Sequence, residues 1–126
     1  MNLKNLLLCT TLSLLLCSCS LSSLTKGMDE MKKLQIRDVD LSTLADGTYE
    51  GSFDYERWSH TLEVVIAEHQ ITDITLVEDM KPANKKVSNT IFSRVLKEQR
   101  LTVDTVSGST VSSKAYLKSI ENALTL

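Results

Sequence analysis

Beyond position 19 the 126-residue chain has no cysteine, which excludes a disulfide framework from any domain built of the rest. Proline occurs once, at Pro82, and glycine four times; there are no repeats or low-complexity tracts, and there is room for one compact domain and little besides. No block of one charge sign stands out. Lys and Arg number 14 against 16 Asp and Glu, spread along the chain for a net charge of −2, so the basic footprint of a nucleic-acid binder is missing. The apolar run over residues 6–16 is interrupted by Thr10, Thr11 and Ser13 and falls well short of the roughly 20 residues a membrane helix needs. Also absent are a Walker-type or dinucleotide glycine pattern, a nucleophile triad and a carboxylate pair, so an independent hydrolase is not expected. His60 and His69 lack the spacing of metal ligands.

What is present begins at the N-terminus. Met1, Lys4 and the run over residues 6–16 have the charged and hydrophobic regions of an export signal. Leu16-Cys17-Ser18-Cys19 resembles the bacterial lipobox, with Leu three positions ahead of Cys19 and a small residue just before it. Cys19 is the expected lipid acceptor. Cys17 is the alternative and fits less well, because bulky Leu16 would stand where a small residue is wanted; an ordinary cleaved signal with the cysteines as apolar filler is the other reading. Acyl chains at Cys19 would hold the protein to a membrane, each buried methylene contributing about 0.8 kcal/mol. The expected organisation is a lipoprotein signal peptide over residues 1–18, a lipidated tether over 19–45, and a folded domain over 46–126, membrane-anchored and extracytoplasmic. Met28, Met31 and Leu34 fall at helical spacing, which predicts a short helix that belongs to the tether or packs on the domain.

In the domain, Asp46-Gly47 is a turn pair, after which Tyr49, Phe53 and Tyr55 alternate with polar residues as in a half-buried strand. A second strand over residues 58–67 puts Trp58, His60, Leu62, Val64 and Ile66 on one face, and Glu68-His69-Gln70 leads into a third over 71–77. After Pro82 the period changes: Val87, Ile91 and Val95 recur every four residues, the mark of an amphipathic helix. A short β-prone piece over 101–106 follows, then a second helix in which Leu117, Ile120 and Leu124 share a stripe. The expected fold is α+β, a small antiparallel sheet with two amphipathic helices on one face, in the order β-β-β-α-β-α.

Asp104-Thr105-Val106-Ser107-Gly108-Ser109-Thr110 stands immediately ahead of the last helix. On physical grounds it is a strand, a glycine turn and a helix start, where Ser and Thr oxygens cap free N–H groups for about 1 kcal/mol. The same groups, with the positive end of the helix dipole, suit a phosphate. The dipole contributes only about 0.3 to 1 kcal/mol, up to about 2 when partly buried, whereas micromolar retention needs about 8. Such a site does not hold a nucleotide unaided.

Residues 104–110 resemble the flavinylation motif of the FMN-binding domain family, Asp-x-x-Ser-Gly-Ala-Thr. That family includes the C subunit of the sodium-pumping NADH:quinone reductase, the G subunit of the related Rnf complex, and small extracytoplasmic lipoproteins, which this chain resembles most. Further similarity lies in Asp46-Gly47-Thr48-Tyr49-Glu50-Gly51, in Ile71-Thr72-Asp73-Ile74, in Val111-Ser112-Ser113-Lys114 and in Ile120-Glu121-Asn122-Ala123-Leu124, so the likeness covers residues 46–126. The resemblance implies FMN joined covalently through its phosphate to Thr110 by a magnesium-dependent flavin transferase that uses FAD and releases AMP. It implies recognition roles for Asp104, Ser107 and Gly108, with Ser107 and the backbone after Gly108 near the phosphate. Ser109 replaces the usual Ala and puts a second hydroxyl beside the acceptor, and Met80, Lys81 and Pro82 stand where many members have Thr-Pro-Gly. The expected role is a redox carrier, taking electrons from a membrane reductase and passing them to an extracytoplasmic acceptor. The alternatives are a redox-silent envelope lipoprotein that binds a partner through its sheet and an electron-feeding subunit of a specific reductase. Tyr49, Tyr55 and Trp58 are candidates to stack on a flavin but are more simply packing residues.

Overall fold

The computed structural model describes residues 25–125. The export signal expected over residues 1–18 and the acceptor positions Cys17 and Cys19 lie outside them.

Strand β1 (Gly47–Tyr55), β2 (Trp58–Ala67) and β3 (Gln70–Glu78) form one antiparallel sheet in the order β1-β2-β3. The inward row of β2 is the one its alternation predicts: Trp58, His60, Leu62, Val64 and Ile66 are all buried. β3 departs from strict alternation. Val65 pairs with Asp73 but Ile66 with Ile71, so Thr72 is an extra residue, and this bulge turns both Ile71 and Ile74 toward the core although they are three apart. A second shift leaves Val77 without a partner and 53% exposed.

Helix α1 (Met28–Lys33) is short, and its Met31 is buried in the same core as the sheet. Helix α2 (Lys85–Glu98) starts where Asn84 Oδ1 accepts the Val87 N–H at 3.3 Å, and it buries Val87, Ile91, Phe92 and Val95. Helix α3 (Thr110–Leu124) lies across β1 and β2 and buries residues on most of its circumference. Gly51 makes that approach close: a Cβ there would collide with the Ser119 carbonyl oxygen and the Ala123 backbone nitrogen. The α+β class, the antiparallel sheet and the two amphipathic helices are as expected.

The β-prone piece over residues 101–106 differs from expectation, for it joins no ladder among the described residues. Its first two N–H groups are satisfied by a side chain. Asp38 Oδ1 accepts the N–H groups of Leu101 at 2.7 Å and Thr102 at 3.0 Å, and Oδ2 accepts the Thr102 hydroxyl at 2.6 Å. Burial raises the Asp38 carboxyl, but these hydrogen bonds outweigh it and hold the group below the usual carboxylate range. Leu101 and Val103 still point into the core. The edge of β3 is met in the same way by Gln99, whose Oε1 accepts from Ile71 N at 2.8 Å while Nε2 donates to Ile71 O at 2.9 Å. The segment between α1 and β1 is tied to α3 as well, since Glu121 Oε2 accepts the Arg37 N–H at 3.0 Å.

Candidate functional site

Helix α3 begins from a tight turn. The Ser109 N–H donates to the Val106 carbonyl at 2.9 Å, and Gly108 takes φ +78, a left-handed conformation that glycine adopts without strain. A Cβ at Gly108 would meet nothing within 4 Å, so conformation, not crowding, calls for glycine. Buried Ser113 clips the turn from inside the helix: its Oγ donates to Ser109 O at 2.7 Å and accepts the Val106 N–H at 3.0 Å.

The Ser/Thr-rich start does not cap itself. Ser109 is the N-cap residue, yet its side chain makes no cap hydrogen bond, unlike Asn84 at the head of α2. Ser113 N, bonded to Ser109 O at 2.9 Å, begins the helical ladder, which leaves the preceding N–H groups for an outside acceptor. Thr110, the first helical residue, is exposed.

Gly108, Ser109 and Thr110 form one wall of an open cleft of about 420 Å³. Met80, Pro82 and Ala83 face them from the loop after β3, and Lys32 and Arg57 add positive charge. Of the residues expected at the site, Thr110, Ser109 and Gly108 come together here. Asp104 and Ser107 are exposed on the approach to the turn and do not line the cleft, and the main-chain oxygen of Asp104 is held by Arg94 Nη1 at 2.7 Å. Tyr49, Tyr55 and Trp58 do not line it either; Tyr49 donates its hydroxyl to Ala45 O at 2.7 Å, and Trp58 is fully buried. Met28 and Met80 line the cleft where aromatic rings were the candidates.

Sequence reasoning missed what fixes the loop. Asp79 Oδ1 accepts from Tyr116 Oη at 2.7 Å, from Met80 N at 2.8 Å and from His60 Nδ1 at 3.0 Å. One carboxylate oxygen thus joins β2, α3 and the cleft loop. The His60 ring lies 4.1 Å from that of Tyr116, and Phe92 meets Tyr116 edge-on. With Nδ1–H donated to Asp79, His60 is the neutral tautomer whose Nε2 is buried without a partner. Burial lowers its pKa, and the Asp79 charge offsets this only in part. Burial, with Asp79 adding to it, pushes the Tyr116 phenol above its usual range.

The lowered His60 pKa has a sign that can be measured. An unfolded histidine takes up a proton near pH 6.5, and the folded one only at lower pH. Stability from this group is therefore complete above about pH 6.5 and falls as the solution is acidified toward the folded pKa. The urea midpoint is expected to drop between pH 7.5 and pH 5.5, and to drop less in His60→Gln. An equal drop in both proteins would remove His60 as the cause.

Among the described residues no group of three or more His, Cys, Asp or Glu is placed to hold a metal, and no helix is long and apolar enough to cross a membrane. The sequence model of the FMN-binding domain matches residues 58–125, from the first residue of β2 to just past the end of α3. No curated protein matches the chain.

Proposed function

Since the chain belongs to the FMN-binding domain family, with its role in flavin binding and electron transfer, we propose that it is an extracytoplasmic lipoprotein carrying FMN on Thr110. The observation that supports this most directly is the placement of Thr110. It is an exposed hydroxyl at the uncapped start of a 15-residue helix, on the wall of a cleft, at the acceptor position of the motif in residues 104–110.

The residues present suit the group. The unpaired first-turn N–H groups and the helix dipole favour a phosphate, and Lys32 adds positive charge. The cleft is open on one side, and helix-end attraction falls several kcal/mol short of retaining a free nucleotide. A covalent bond removes that shortfall. In its formation Thr110 Oγ1 bonds to the flavin-side phosphorus of FAD, the phosphoanhydride bond breaks, AMP departs and the hydroxyl gives up its proton, on a magnesium-dependent transferase. Bound there, FMN supplies the redox chemistry, while the protein supplies position and exposure. Ser113 holds the acceptor turn closed, and Asp79 holds Met80 against the opposite wall.

Anchoring rests on the lipobox-like Leu16-Cys17-Ser18-Cys19, with Cys19 as the lipid acceptor. A membrane reductase donates the electrons and an extracytoplasmic acceptor takes them. Coexpression with a flavin transferase tests the assignment. The intact mass should rise by one FMN less one water, and the denatured band should fluoresce in a gel under ultraviolet light. Protein that keeps its bare mass under these conditions would overturn it.

A further inference from the structure

Arg57 stands at the tip of the β1–β2 hairpin, beside Glu56, whose φ is 54. Its guanidinium carbon lies 4.7 Å from the centroid of the Trp58 ring, so the side chain is propped on a buried surface. Its Nε is buried with no hydrogen-bond partner, and among the described residues no carboxylate forms an ion pair with it. A buried donor on a permanent cation is costly to leave unmatched. Its position indicates what would match it. A second hollow of about 530 Å³, lined by Ser59, Glu78, Asp79 and Lys81, adjoins the cleft of Thr110, and Arg57 and Met80 are the residues common to both.

We infer that Arg57 is a flavin-contacting residue, whose guanidinium meets the oxygen- and nitrogen-bearing pyrimidine edge of the ring carried by Thr110. This rests on the attachment of FMN to Thr110. With the phosphate served by the first-turn N–H groups of α3, the acceptor left for Arg57 would be on the ring, since Arg57 and Thr110 line the same cleft and Arg57 also borders the second hollow. A planar fork of donors suits two acceptors side by side on a ring edge. Reduction of the ring by two electrons and one proton adds one negative charge, which is spread over that edge. A fixed positive charge there favours the reduced state.

The test is a spectroelectrochemical titration at pH 7 with mediators, the electrode supplying the electrons. It uses wild type, Arg57→Gln and Arg57→Lys, each coexpressed with the transferase and shown by intact mass to carry FMN. Arg57→Gln should lower the ratio of reduced to oxidised flavin at a given potential about tenfold, equivalent to a midpoint about 30 mV lower for two electrons. Arg57→Lys should recover part of that loss, because it keeps the charge and loses the fork. Should Arg57→Gln fail to fold, the Lys variant carries the test, and its midpoint must lie below that of wild type. Fully flavinylated Arg57→Gln with the wild-type midpoint would overturn the inference, as would a drop in attachment yield with no change in midpoint. Wild type without FMN would remove the attachment on which the inference rests and overturn both together.

Discussion

Thr110→Val, made alongside the flavin transferase, is expected to be colourless, to have the mass of the bare chain, and to melt within about 2–4 °C of unmodified wild type. Loss of colour follows from removing the one oxygen that can bond to phosphorus at this position. Unchanged melting follows from the local structure. Thr110 is exposed, valine has nearly the same shape, and the cap residue Ser109 already makes no side-chain bond that the change could break. Surface substitutions of this kind stay within about 0.5 kcal/mol, and 1 kcal/mol shifts a domain of this size by about 4–8 °C. If the hydroxyl served as a cap, the variant would lose about 1 kcal/mol and the melting temperature would show it. Thr110→Ser should regain the flavin. Colour retained in Thr110→Val and lost only when Ser109 is also replaced by Ala would move the attachment to the neighbouring hydroxyl.

Gly51→Ala is expected to be the most damaging single-methyl change in the sheet. The added Cβ would meet the backbone of α3 at Ser119 and Ala123, and backbone has no rotamer by which to escape. Overpacking costs typically 1–3 kcal/mol; with two backbone atoms in the way about 3 kcal/mol or more is expected, a fall of about 12–24 °C in melting temperature by circular dichroism. Gly108→Ala makes the control. There a Cβ meets nothing within 4 Å, and only the positive φ is strained, so about 1–2 kcal/mol is expected. Equal losses in the two variants would show that α3 can move away from β1 and that the close approach is not needed.

How far the sequence could be read depended on how far apart the partners lie along the chain. The buried row from Trp58 to Ile66 was legible because alternation is a local pattern, and so was the stripe of α2 through Val87, Ile91 and Val95. β3 was misleading in detail: a bulge at Thr72 re-phases the strand, and no residue type there announces it. Residues 101–106 have strand-like composition but donate to Asp38, more than sixty positions earlier, which periodicity cannot show. The same limit divides the cleft. Gly108, Ser109 and Thr110 are consecutive and could be found as a motif. The opposite wall and its support come from elsewhere, with Asp79 meeting His60 19 positions before it and Tyr116 37 positions after. Arg57 is one cation among 14 Lys and Arg, and its one local mark is the tryptophan that follows it at a hairpin tip, on whose ring it stacks.

Ser113 reaches back from within α3 to grip both ends of the bend that precedes it. An enzyme docking on that bend meets a shape frozen in advance and loses little chain entropy in recognising it. A nascent or denatured polypeptide has the same seven letters without the shape. On the proposed attachment to Thr110, the modifying enzyme would meet a folded surface, and a short peptide copied from residues 104–110 is expected to accept flavin more slowly than the folded domain, as intact mass would show.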